Sequence, residues 1–88
     1  MVRPRVSEDD RASGRELGAR LRESRLQAGL SAQALAEASE VSIDTVRSLE
    51  IGRVAAPSFM TIARIAGALG VSLDELLASI KRAPERKR

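Results

Sequence analysis

One short pattern recurs three times in this chain of 88 residues. LSAQAL spans Leu30 to Leu35, VSIDTV spans Val41 to Val46, and VSLDEL spans Val71 to Leu76. Each is an apolar residue, a serine, three further residues and a second apolar residue. A serine hydroxyl accepts a hydrogen bond from an otherwise unpaired backbone N–H in the first turn of a helix. The apolar residue ahead of it packs on the one that closes the pattern, a hydrophobic staple. The pattern therefore predicts three helix starts, and the third adds Glu75 at capping-box spacing from Ser72. A fourth start is expected at Ser58, after Pro57, where Phe59, Ile62, Ile65, Ala66 and Leu69 form an apolar face at helical spacing. A first helix is expected to begin between Asp10 and Gly14 and to run to about Ala28, with Leu17 and Leu21 on one face. Gly29, Gly52 and Gly70 follow helix ends, where a left-handed stop belongs.

The resulting map is five helices, at about 10–28, 31–38, 42–50, 58–69 and 72–80, with no segment alternating as a strand does. The chain is read as a compact all-α domain over residues 10–80, with a flexible arm at 1–9 and a basic tail at 81–88. Only residues 39–41 join the second and third helices. So short a connection forces a sharp turn between two brief helices, a helix-turn-helix.

Composition narrows the function. There is one Phe and neither Trp nor Tyr, so the core must be aliphatic. A chain this short has little room to bury a substrate cavity. Without Cys or His it has no thiol chemistry, no zinc site of the usual kind and no histidine base. No nucleophile–base pair, metal cluster or phosphate-cradling glycine loop is present, so neither an enzyme nor a cofactor is expected. No apolar run is long enough to span a membrane and no signal-peptide pattern opens the chain, so a cytoplasmic protein is expected. The net charge is +3, yet residues 1–56 balance and residues 57–80 sum to −1. The excess lies in the tail KRAPERKR, at +4. That tail is either a solubilising end or an arm for phosphates.

On a helical wheel, Val46 and Leu49 of the third helix point inward, while Ile43, Asp44, Arg47, Ser48 and Ile51 point outward. A solvated face would carry Lys and Glu. The second helix is expected to turn Leu35 and Ala38 inward, with Ala32, Ala34 and Ala36 allowing close approach.

Taken in order, GLS into helix two, VS…V..LE.G across helix three, P-S into helix four and LGVSLDELL at the end resemble the phage-repressor (Cro/CI or XRE) type of helix-turn-helix domain. The resemblance spans Leu17 to Leu77 and implies a lambda-repressor-like fold. It also implies that the third helix enters the DNA major groove with its N-terminal residues at base edges. Ile43, Asp44, Arg47 and Ser48 then become the base-contacting candidates. Arg47 suits guanine, Asp44 suits either cytosine N4 or the helix dipole, and Ile43 suits a thymine methyl or a partner surface. Phosphates would be met by Ser31, Ala32 and Gln33 at the start of helix two, by Ser42, whose first role is as a cap, and by Arg53. Arg20 and Arg22 could assist. Similar domains pair an arginine late in helix one with the glutamate ending helix three, here Arg25 and Glu50.

Two positions depart from the family pattern. Ala32 stands where glutamine is usual, which removes a side-chain contact to DNA. Glu40 stands where the turn usually has glycine, so it either takes a positive φ at a cost on the order of 1 kcal/mol or bends the turn differently. Helix five carries more leucine than one small core can bury. Leu77 and Ile80, with Phe59 or Met60, are therefore expected to form a two-fold dimer surface. The expected function is a dimeric, sequence-specific transcriptional regulator, a repressor or autoregulator, reading a near-palindromic site on double-stranded DNA. The alternatives are a protein-interaction adaptor on the same fold and a non-specific nucleoid binder led by the tail.

Overall fold

The computed structural model describes residues 8–80, all helices and connections. The order is α1 (Glu8–Gln27), α2 (Ala32–Ser39), α3 (Ile43–Glu50), α4 (Phe59–Leu69) and α5 (Leu73–Ser79), with no strand among the described residues. All five expected helices form. α1 begins earlier than the sequence suggested, at Glu8, inside the stretch read as an arm. The rest of that arm and the tail at 81–88 lie outside the described residues.

Each serine cap is in place. The side chains of Ser31, Ser42, Ser58 and Ser72 accept from the backbone N–H groups of Ala34, Thr45, Thr61 and Glu75. The capping box of Ser72 and Glu75 is complete in both directions. Helix ends are built as regularly. Three connections are the same triplet: a left-handed residue, an apolar residue and a capping serine. They are Gly29-Leu30-Ser31, Glu40-Val41-Ser42 and Gly70-Val71-Ser72. In each, the apolar residue's N–H returns to a carbonyl in the helix just ended: Arg25, Ala36 and Ala66 at 3.1, 3.1 and 3.0 Å. Those apolar side chains pack against the core. One residue thus closes the helix behind it and staples the helix ahead.

Glu40 takes φ 60° and ψ 39° within this scheme. The turn therefore keeps the glycine geometry with a glutamate in it, and of the two expectations the positive φ is the one realised.

The core is aliphatic and draws on every helix: Leu17 and Leu21, Leu35 and Ala36, Val46 and Leu49, Ile62, Ile65 and Ala66, and Leu76. In α2 the buried face is Leu35, Ala36 and Ser39, and Ala38 is exposed, contrary to the wheel. Ser39 can be buried because its hydroxyl donates to the Leu35 carbonyl at 2.6 Å. Phe59, placed on the apolar face of helix four, is 68% exposed, and only Ile62, Ile65 and Ala66 go fully inward.

α1 meets the end of α3 without side chains between them. Gly14 and Gly18, four residues apart on one face, are both buried. A Cβ on Gly14 would lie 2.6 Å from the Val54 carbonyl oxygen, and one on Gly18 would overlap the Leu49 carbonyl. This backbone-to-backbone seam sets the depth at which α3 sits.

Two substitutions should move stability in opposite directions. Gly18→Ala should destabilise by about 1–3 kcal/mol through overpacking. Glu40→Gly should stabilise by about 0.5–1 kcal/mol, relief of the left-handed strain being offset in part by glycine's freedom in the unfolded chain. Thermal melts would read each as a shift of about 4–8 °C per kcal/mol.

Candidate nucleic-acid interface

α3 is short, and its packing decides what it can present. Val46 and Leu49 are buried, which turns Asp44 and Arg47 outward, both exposed and three residues apart on one face. Ser48 is half-buried, and Ile51, at the helix end, is 64% exposed. Ile43 departs from the wheel: it is half-buried and packs against the core. The first residue of a capped helix still points toward the preceding turn, so its Cβ lies closer to the body than an ideal wheel implies. The outward face is therefore more polar than the sequence suggested.

Beside this face is an open cleft of about 410 Å³, between α3 and the segment leading into α4. Thr45, Ser48, Ser58 and Thr61 bring hydroxyls to its lining and Asp44 a carboxylate, beside apolar Leu49, Val54, Ala56 and Pro57. Ser42 Oγ and Thr45 Oγ1 share a hydrogen bond of 2.9 Å, and Ser58 Oγ donates to Thr61 Oγ1 at 2.8 Å. Thr45 and Thr61 were not singled out from the sequence. Their signal was the spacing of three from a capping serine, which recurs at both helices.

The phosphate candidates divide by environment. Ser31 and Ser42 are exposed and engaged as caps, Ala32 is half-buried against the core, and Arg53 is exposed after Gly52. Gln33 is exposed, but its amide donates to Glu37 at 3.3 Å. Arg20 pairs with Glu23 at 3.2 Å on the surface, and Arg22 is exposed.

Behind the face lies a forked ion pair. Arg25 Nε donates to Glu50 Oε2 at 2.7 Å and Arg25 Nη2 to Glu50 Oε1 at 3.0 Å. Arg25 Nη1 donates to the Leu30 carbonyl at 2.8 Å. Only 11% of the Arg25 side chain and 7% of the Glu50 side chain remain exposed. The hydrogen bond to Glu50 raises the guanidinium pKa above its ordinary value, against the lowering effect of desolvation and with Coulomb attraction adding to it. A raised basic pKa contributes stability that is lost only as pH rises through the folded value. For an arginine that lies beyond any working pH, so Arg25 stays charged. One side chain thus ties the end of α1, the start of the α2 connection and the end of α3.

The profile of the family described as "Helix-turn-helix domain" matches residues 16–79, most of the chain. The chain belongs to the helix-turn-helix domain family. It is an all-α DNA-binding domain of the phage-repressor type, as the resemblance implied. Two crystal structures of the clp gene regulator ClgR from Corynebacterium glutamicum are similar to it. One is 38% identical with a TM-score of 0.70, covering 75% of this chain and 69% of that one. The other is 34% identical with a TM-score of 0.69, covering 88% and 90%. The restriction-modification controller protein C.AhdI from Aeromonas hydrophila is 35% identical with a TM-score of 0.70, covering 74% of this chain and 97% of that one. A comparison with curated proteins finds no match.

In this helix-turn-helix domain the ion pair is a support for α3 rather than part of its outward face. Removing one partner leaves a buried charge unpaired. Arg25→Met and Glu50→Leu should each cost about 3–5 kcal/mol, whereas the double change of both should recover most of that loss. Denaturant melts of the four proteins close the cycle. Additive losses would mean that the two side chains act independently.

Proposed function

We propose that this helix-turn-helix domain acts as a sequence-specific transcriptional regulator, binding double-stranded DNA as a homodimer and repressing or autoregulating its targets. The observation that carries this reading is the outward face of α3. Arg47 and Asp44 are exposed together on a helix held from behind by the Arg25–Glu50 pair. Arg47 would make paired hydrogen bonds to a guanine, and Asp44 would accept from a cytosine amine. Ser48 and Ile43 would complete the base contacts, with Ile43 contributing only the part of its side chain that the core leaves free. The N–H groups at Ser31, Ala32 and Gln33, the Ser42 cap and Arg53 would hold phosphates and fix register. Similarity to a clp gene regulator and to a restriction-modification controller supports a regulatory role.

The dimer reading rests on α5. Leu76 is buried, but Leu77 is 64% exposed, and Leu77, Ile80 and Phe59 line one apolar groove of about 380 Å³. A second copy would bury that groove around a two-fold axis, placing two α3 helices about one DNA turn, roughly 34 Å, apart. The bound site would then be near-palindromic.

Exposed Ile51 favours a second reading, a protein-interaction adaptor using the same surface. The half-burial of Ile43 leaves that apolar surface small.

Two measurements test the proposal. Genomic fragments selected by the wild-type protein at near-physiological salt should share a near-palindromic motif. Arg47→Ala should lose or relax that motif, with about 1–3 kcal/mol of discrimination gone. Uniform recovery, indifferent to Arg47, would point to phosphate binding alone, and no recovery would point to a protein partner. Leu77→Lys should give a monomer in sedimentation while keeping the helical spectrum. A wild-type protein that is already monomeric at tens of micromolar would overturn the dimer.

A further inference from the structure

Residues 8–80 carry eight arginines, no lysine and eleven acidic side chains, so the described body is net acidic. A DNA-binding body of that charge must gather its free cations where phosphates come. Arg25 is committed to Glu50 and Arg20 to Glu23. Of the remaining six, three converge on one place. Arg11 and Arg15 from α1 and Arg53 from the α3–α4 connection line an open hollow of about 400 Å³, with Gly52 and Ala55 as its floor. Arg11 and Arg15 lie four apart, on one face of the helical turns that extend α1 toward the N-terminus. Gly52 is at φ 76°, and a Cβ there would sit 2.8 Å from Arg15 Cγ. The Arg15 stem therefore packs on the bare glycine, which aims its guanidinium. Among the described residues neither Arg11 nor Arg53 has a carboxylate partner. Arg15 has Glu8 at 3.5 Å, with both side chains more than half exposed.

We infer that Arg11, Arg15 and Arg53 form a phosphate clamp for the DNA backbone beside the groove read by α3. The inference rests on the DNA-binding reading above. α3 is eight residues long, about 12 Å, and the major groove is about 12 Å wide. A helix with its first turn at base edges thus brings its far end to a bounding phosphate strand. That far end is Ile51–Arg53, where the hollow opens. Glu8 occupies the Arg15 guanidinium until a phosphate replaces it, so this carboxylate competes with DNA.

The test uses the full chain and the DNA motif selected by the wild-type protein. Binding is titrated against salt for wild type, Arg11→Gln with Arg15→Gln, Arg11→Gln alone and Glu8→Gln. Each lost phosphate contact removes about 0.9 from the slope of log K against log salt. The double variant is expected to keep the motif, lose about two from the slope and bind about tenfold or more weakly at near-physiological salt. The single variant is expected to lose about one, which keeps the test sound if the double variant melts early. Glu8→Gln is expected to bind more tightly. A double variant with wild-type affinity and slope on the same motif would overturn the clamp and leave the DNA-reading α3 intact. A wild-type protein that selects no DNA would overturn both, and Arg47→Ala, which should change the motif but not the Arg11 and Arg15 slope effect, separates the two.

Discussion

The orientation of α3 depends on one buried ion pair. Arg25 and Glu50 are 25 positions apart, and their forked contact joins the last full turn of α1 to the last residue of α3. The third arm of the guanidinium takes the Leu30 carbonyl, so the connection into α2 is fixed by the same group. An apolar pair of similar volume would hold the two helices together equally well in energy. It would not hold them at one angle, because only the planar fork demands a single mutual orientation. The glycine seam supplies the other coordinate. With Gly14 and Gly18 bare, α1 lies on the carbonyls of Leu49 and Val54, and the depth of α3 is set by backbone contact. Angle and depth together leave Asp44 and Arg47 on a rigid platform.

Much of this was legible in the sequence, for a physical reason. Caps, staples and left-handed stops are local devices, built from residues two to six apart, so Ser31, Ser42, Ser58 and Ser72 mark their helices before any tertiary structure is known. The Arg25–Glu50 pair came from family resemblance, since nothing local links positions so far apart. What depended on neighbours was read less well. The choice between Ala38 and Ser39 as the buried face of α2 turned on a hydroxyl finding the Leu35 carbonyl. Ile43 lies closer to the core than a wheel allows, and Phe59 lies farther from it. The pairing of Gly14 with Gly18 was visible as a spacing of four, but its meaning required knowing what crosses α1 there. The early start of α1 adds Glu8 and Asp9 to the helix, and with them the carboxylate that meets Arg15.

The electrostatics follow from the same economy. Residues 8–80 hold no lysine and are net acidic, so positive charge is not spread over them as a general attractor. Five of the eight arginines there are grouped about α3: Arg25 behind it, Arg47 on its outward face, and Arg11, Arg15 and Arg53 where it ends.

The repeated triplet of left-handed residue, apolar residue and capping serine has a consequence for how such a domain can change over time. Two of these connections are three residues long and the first is four, with each position of the triplet occupied by a duty, so they have little slack. Adding or losing a residue there would rotate the next helix by about 100° and turn its buried side chains to water. Length variation is thereby closed to the joints around α2 and α3. Asp44 and Arg47 stand outside these connections and are exposed. On the function proposed above, binding preference can drift by single exchanges at those two positions while the frame stays constant, so descendants of one scaffold can acquire different target sites without passing through an unfolded ancestor.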